Sequence, residues 1–332
     1  MAKCARTVTA ALLLSVAPLL ADGARAMASA APAQTAWVTA DASVTLPGTA
    51  VTPVDLRTRA RQHAVSVGSL PSALAFTPGG QLLVVSQGDD TLHEINPRTH
   101  SVTHSVTVGL EPDAVAYAPG GTDGKGLALV ANLDADTVTP VNLGTWRAGR
   151  PIPVGSEPVA IAVTVGGSGL ATALVADFGS NQVTPINVAA GKAGPSIAVG
   201  TGPETVAIAA GVALVGNFTD DTLTPITLAT LQAGPPVALP VNPTDIAVAS
   251  SGATAYVTGG RSVVPVTVAG PVVGQPITLP GAAQGVALSP DNALAWVALQ
   301  AGDLVPVTLA TRHVGRRIHL GGHPSAVVID ER

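Results

Sequence analysis

One period of the chain reads GLALVAN (126–132), DTVTPVNL (136–143), AGRPIPVG (148–155) and PVAIAVTV (158–165). These are four short runs rich in Val, Ile, Leu and Thr, separated by Gly, Pro, Asp and Asn, the composition of strands divided by tight turns. The pattern returns along the chain. A six-residue unit recurs as VTPVDL (51–56), LHEINP (92–97), VTPVNL (138–143), VTPINV (183–188), LTPITL (223–228), VVPVTV (263–268) and LVPVTL (304–309), with Pro53, Glu94, Pro140, Pro185, Pro225, Pro265 and Pro306 at its third position. A second unit, close to V-G-x-x-P-x-x-V-A-V, places Pro71, Pro112, Pro158, Pro203, Pro243, Ala283 and Pro324 at its proline position, each 18 residues after its partner in the first unit. Seven repeats hold that register, and every insertion falls in the second interval, as at 118–126. Paired strands resist insertion and loops accept it.

Four strands per period of about 40 residues predict a propeller blade rather than a helical repeat. The expected fold is all-β, a seven-bladed β-propeller of four-stranded antiparallel blades. Blades that pack through both faces lose polar alternation, which accounts for the continuous apolar runs. The innermost strand, VAIAV at 159–163 or TVAIA at 205–209, carries the small residues that suit a taper towards the axis. The Pro of the first unit needs a site without a ladder donor, an edge or a bulge. The phase of the repeat predicts closure. The chain starts with the last three strands of a blade and ends with an innermost strand, PSAVVID at 324–330, which is expected to join the N-terminal blade and remove a free edge.

Residues 1–30 read as a secretory signal and 31–332 as a single propeller domain. Lys3 and Arg6 precede the apolar run 8–21, and small-residue cleavage sites follow near Ala26 and Ala30. That run is too short and too Pro-interrupted for a spanning helix of about 20 residues, and no later segment crosses a membrane. The expected location is secreted, extracellular or associated with the cell envelope. The chain of 332 residues has 16 Lys plus Arg against 21 Asp plus Glu; loss of Lys3, Arg6, Arg25 and Asp22 with the leader leaves 13 against 20, a formal charge of −7. An acidic chain of this kind matches nucleic acid poorly, since that binding needs clustered Lys and Arg. Charged residues make up only 11%, less than half the roughly 25% of ordinary domains. The 47% apolar content argues against disorder, and 36 Gly with 28 Pro against a helical bundle. The only cysteine, Cys4, lies in the leader, so the mature protein has no disulfide, thiol nucleophile or Cys metal site.

Leu129-Val130-Ala131-Asn132, Leu174-Val175-Ala176-Asp177, Leu214-Val215-Gly216-Asn217, Tyr256-Val257-Thr258-Gly259 and Leu288-Ser289-Pro290-Asp291 resemble the pieces of the YVTN-type β-propeller repeat of bacterial and archaeal cell-surface and secreted proteins. The resemblance covers about 37–332 and departs from the motif in the Pro of T-P-V/I and in Ala283. It implies architecture and location; members of that family mostly lack an assigned reaction.

In such a ring the loops leading into the innermost strands and the loops between strands two and three are expected to share one face, the mouth of the channel. The proline-flanking positions there give Glu111, Asp113, Glu157, Glu204 and Asp245 in consecutive blades two to five, with His323 in the seventh. Nearby loops add Asp89, Asp90, Asp134, Asp136, Asp177, Asp220, Asp221 and Asp303. Carboxylate oxygens suit a hard cation such as Ca²⁺; equally, Asp and Asn cap tight turns. His63, His93, His100, His104, His313 and His319 fall on the outer two strands, so the converging rings of a His metal site are missing. Neither G-x-S-x-G, a P-loop nor H-E-x-x-H occurs. Trp37 and Trp296 occupy equivalent second-strand positions and read as core.

These residues support an exported, non-catalytic and monomeric propeller, a binding or scaffold module whose small-molecule or protein ligand is cationic. No cofactor is expected beyond a divalent cation such as Ca²⁺. The alternative is a lactonase-like propeller hydrolase or lyase, which requires a divalent cation held by three or more mouth carboxylates. A quinone-dependent dehydrogenase is a weaker third idea, because no cysteine or aromatic clamp is present.

Overall fold

The computed structural model describes residues 34–40, 48–121, 124–166 and 169–330; the expected leader, with Cys4, lies outside them. The described residues form seven antiparallel sheets. Their innermost strands, which number blades 1 to 7, are Pro71–Phe76, Pro112–Ala118, Pro158–Val165, Pro203–Ala209, Asp245–Val248, Ala283–Leu288 and Val327–Asp330. Each innermost strand packs against those of its two neighbours, and the seventh meets the first, closing the ring.

Burial explains why the strands read as unbroken apolar runs. Seven hydrophobic clusters occupy the seven gaps between blades, and successive residues of one strand feed opposite clusters. Ala128 and Val130 pack towards blade 1 while Leu129 and Ala131 pack towards blade 3. Ala36 and Val38 face blade 6, and Trp37 between them faces blade 1. Trp37 and Trp296 are both fully buried, as expected for core residues. The side-chain alternation of a strand is therefore spent on two neighbours rather than on core and solvent.

Closure follows the predicted route. The C-terminal strand Val327–Asp330 pairs antiparallel with Thr35–Ala40, with Trp37 opposite Val328 and Thr35 opposite Asp330. Blade 7 thus takes its innermost strand from the end of the chain and the rest from the beginning. A hydroxyl chain reinforces the seam: Thr39 Oγ1 lies 2.8 Å from Ser325 Oγ, which donates to the Ser72 carbonyl of blade 1 at 3.3 Å.

The recurring third-strand Pro marks the edge. In blades 2 to 7 its carbonyl accepts a bond of 2.7–2.8 Å from Gly149, Gly194, Gly234, Gly274, Gly315 or Gln62, in the middle of the outer strand. A strand residue points its N–H and C=O to the same side, so the missing Pro donor also faces the outer strand. The outer strand breaks there, as at Arg147–Ala148 and Ile152–Pro153 or Lys192–Ala193 and Ile197–Ala198. Blade 1 has Glu94 instead of Pro, and its outer strand runs unbroken from Ser101 to Thr107. Five of the six breaks carry glycine, where a side chain would approach the Pro ring, most closely in blade 5, where a Cβ on Gly274 would lie 2.9 Å from Pro265 Cγ; blade 7 accommodates Gln62.

Removing 324–332 takes out the innermost strand of blade 7 and exposes two interblade clusters. The truncated protein is expected to lose its single cooperative thermal transition, read by calorimetry; unchanged melting would show that the seam does not hold the ring.

Candidate functional site

In a four-stranded meander, successive connections alternate between the two ends of the sheet. The connections from strand two to three and from the outer strand to the next innermost strand therefore share one face, and hydrogen bonds tie them together. Gln87 N donates to the Leu70 carbonyl, Leu133 N to Glu111, Phe178 N to Glu157, Phe218 N to Gly202 and Gln300 N to Ala282, at 2.7–2.9 Å. The same bond in five blades fixes the geometry of the mouth.

Several loop aspartates are accounted for by this scaffold. Asp90 and Asp136 adopt left-handed backbone at the ends of their hairpins (φ 55° and 52°), and each Oδ1 accepts the backbone N–H of Glu111 or Glu157 in the next blade at 2.9 Å. Asn181 does the same for Gly202. Asp89 and Asp220 accept from Ser69 N and Thr201 N at 2.7 and 2.9 Å. Short Asx side chains tolerate this backbone and bond to it locally; here they latch one blade to the next. Asp303, almost fully buried, pairs with Arg317 at 3.2 Å and lies 3.0 Å from His319 Nδ1.

The residues singled out from the sequence divide into four groups. Glu111 and Glu157 are exposed, immediately before the proline position, and have φ of 48° and 52°. Gly202 fills the equivalent place in blade 4 with φ 62°. Asp113 and Glu204 occupy a β-bulge that the sequence reading missed. The register slips directly after the proline in blades 1 to 4, so that the pairing with the second strand skips Ser72, Asp113, Val159 and Glu204. A bulge redirects its extra side chain. The same position after the proline faces the neighbouring innermost strand, because Ser72 Oγ reaches the Pro112 carbonyl at 3.0 Å and Thr244 Oγ1 the Ala283 carbonyl at 3.3 Å. Asp113 Oδ1 accepts from Gln87 Nε2 of blade 1 at 3.1 Å. Burial pushes the Glu204 carboxyl above the usual range. The only sequence signal for the bulge is a polar residue right after the proline in an otherwise apolar strand.

Asp245, one residue further along, bridges blades 5 and 6. Its Oδ1 accepts from Ile246 N and its Oδ2 from Val286 N, both at 2.8 Å. Enclosure by the inner strands outweighs those two bonds and raises its carboxyl to about 6. His323 is half-buried in the loop leading into blade 7. The mouth also exposes apolar side chains, Leu110 at 57% and Phe218 at 38%.

These carboxylates share a face without converging on a point. Among the described residues no three of His, Cys, Asp or Glu are grouped as a metal ion requires, so the mouth carboxylates do not form the donor set of a divalent cation. Two clefts, of about 920 and 470 Å³, lie elsewhere: the first between the outer strands of blades 3 and 4, around Lys192, Pro195 and Leu231, the second beside Pro280 and Arg317. No helix among the described residues is long and apolar enough to cross a membrane.

Fold and site together define a seven-bladed β-propeller with an acidic, partly apolar mouth. The chain is similar in structure to a functionally unknown protein from Desulfotomaculum acetoxidans, at 16% identity and TM-score 0.76 over 89% of this chain and 98% of that one. It is also similar to a 6-phosphogluconolactonase candidate from Bacteroides fragilis, at 16% identity and TM-score 0.72 over 91% and 99%. Hydrazine synthase from Kuenenia stuttgartiensis aligns at 20% identity and TM-score 0.69 over 77% and 88%. At these identities the likeness is one of fold. No protein-family model and no curated protein matches the chain.

Asp177, the Asp of LVAD, is fully buried at the mouth end of its strand, where Asn132 and Asn217 stand in blades 2 and 4. Thr184 Oγ1 donates to its Oδ2 at 2.5 Å, Oδ1 has no partner, and burial raises the carboxyl to about 6. A folded-state value above the unfolded one, about 3.9, means that stability is gained as pH falls through 6 and is complete near 4. Asp177→Asn removes the charge that is buried at neutral pH. The variant is expected to be more stable than the native chain at pH 8, by on the order of 2–3 kcal/mol, with the gap closing below pH 6. Thermal melts at both pH values test this; a constant difference would mean that the carboxylate does not titrate in this range.

Proposed function

We propose that this protein is an exported recognition propeller of the YVTN type, whose mouth binds a cationic ligand that carries apolar groups. The observation that carries this reading is the backbone of Glu111 and Glu157. Left-handed conformation costs a side-chain-bearing residue roughly 1–2 kcal/mol relative to a favourable backbone; blade 4 meets the same geometry with glycine and blade 1 with Leu70. Two adjacent blades nevertheless hold a Glu there, exposed and on one face. Strain of this kind is commonly kept where a side chain serves a function. Exposed Leu110 beside Glu111, and Phe218 two blades on, supply apolar contact.

Charge supports the same reading. Among the described residues, carboxylates away from the mouth end are Asp55, Glu94, Asp291 and Asp330, and Arg261 is the one Lys or Arg in a mouth loop, where it donates to the Pro280 carbonyl. A mouth of one sign concentrates cations in front of it. Export is supported by the Lys3 and Arg6 start, the apolar run 8–21 and the small residues near Ala26 and Ala30.

Replacing Glu111 or Glu157 with Gly separates function from fold. Each variant is expected to melt higher, by about 1 kcal/mol of stability, and to lose binding of spermine measured by calorimetry. Absence of spermine binding by the native chain, or binding unchanged in both variants, would overturn the cationic ligand.

A further inference from the structure

The acidic mouth has a counterpart on the opposite face. That face carries the connections from strand one to two and from strand three to the outer strand. Arg57 and Arg59 lie in the third connection of blade 7, Arg61 in the first piece of its outer strand, Ala60–Arg61, Arg98 in the matching turn of blade 1, and Arg312 in that of blade 6. All five are exposed and belong to three adjacent blades. Arg57, Arg59, Arg61 and Arg98 have no carboxylate within ion-pair distance among the described residues; Arg312 donates to the Gln275 and Pro276 carbonyls at 2.7 and 2.9 Å, which pins it to the loop that carries Val272.

Asp55 and Asp291 on this face are engaged in their own turns. Asp55 accepts from the backbone of Arg57 and Thr58 at 2.9 and 2.7 Å, and Asp330 ends the innermost strand of the same blade opposite Thr35, so two carboxylates stand against three arginines there. Asp291 accepts from Ser289 and Ala293. Large apolar side chains flank the arginines, Val272 at 64% exposure in blade 5 and Val102 at 37% in blade 1.

We propose that this sector, blades 5 to 7 and 1, is a docking surface for an anionic phospholipid bilayer, which leaves the mouth turned away from the membrane. Arginines on a flat disc face meet a plane of phosphates, and exposed Val272 and Val102 enter the interfacial layer. Each arginine near an anionic leaflet contributes about a five-fold gain in affinity. The net negative charge of the chain does not prevent this. A strand of six residues spans about 20 Å, so the acidic mouth stands more than two Debye lengths, each about 8 Å at physiological salt, behind the contact. The proposal is independent of the mouth having a ligand.

Flotation with vesicles tests it, using phosphatidylcholine alone and phosphatidylcholine with added phosphatidylglycerol. The chain is expected to float with the anionic vesicles at low salt, to be released at high salt, and not to float with phosphatidylcholine. The triple variant Arg57→Ser, Arg59→Ser, Arg98→Ser should weaken binding by on the order of 100-fold, while Arg261→Ser, on the mouth side, leaves it unchanged. Thiol labelling in a Cys4→Ser background reads orientation: on vesicles, Val272→Cys should be protected and Leu110→Cys should react. Equal binding to both vesicle types, insensitivity to the triple variant, or binding to soluble inorganic polyphosphate without flotation would overturn the proposal. Equal labelling of the two cysteines on the vesicle would overturn the orientation.

Discussion

The structure depends on blades burying both faces against one another. Each of the seven clusters is shared between neighbours, and none belongs to a single blade. An isolated blade would therefore expose two apolar surfaces, such as the Leu129 and Ala131 side and the Ala128 and Val130 side of blade 2. No blade is stable alone, and an open arc would leave two such surfaces in water. That requirement makes the pairing of Val327–Asp330 with Thr35–Ala40 the decisive contact, since it completes the last two interfaces at once.

A ring closed at its centre still presents an edge on every blade. In six blades the third-strand Pro removes a donor and the outer strand divides into short pieces around it. Interrupted edges of this kind are poor templates for pairing with another chain. Blade 1 uses another device: Glu94 holds Thr103 and His104 at a bulge in its outer strand, and His104 stacks on Trp146 at 4.7 Å. The rim is thus guarded by conformational punctuation rather than by charge, which suits a chain with so few charged residues.

Those few charges are sorted by face, and the sorting has a structural cause. The tight turns between strands two and three need left-handed residues, and Asp and Asn satisfy both the turn and the amide of the next blade. Acidity at the mouth is in part a by-product of this latching. Glu111 and Glu157 are different, because glycine would serve their backbone better; Asp113 and Glu204 are different, because the bulge, rather than a turn, places them. The arginines gather in connections where no such latch operates.

The sequence by itself determined the number of blades, the four strands of each, the seam and the face on which Glu111, Asp113, Glu157, Glu204, Asp245 and His323 would lie. Periodicity carries that information because a constant spacing of 18 residues between the two repeated units leaves no freedom in how strands succeed one another. Only the tertiary structure decided which side of the third strand the Pro faces, which aspartates are latches, and that the mouth carboxylates do not converge as metal ligands. Those outcomes turn on hydrogen bonds between residues about 20 positions apart in different blades, on register slips of a single residue and on the sign of φ. None of these leaves a periodic mark in the chain. The basic sector of the opposite face was hidden for the same reason: Arg312 and Arg57 lie at opposite ends of the sequence, and ring closure makes them neighbours.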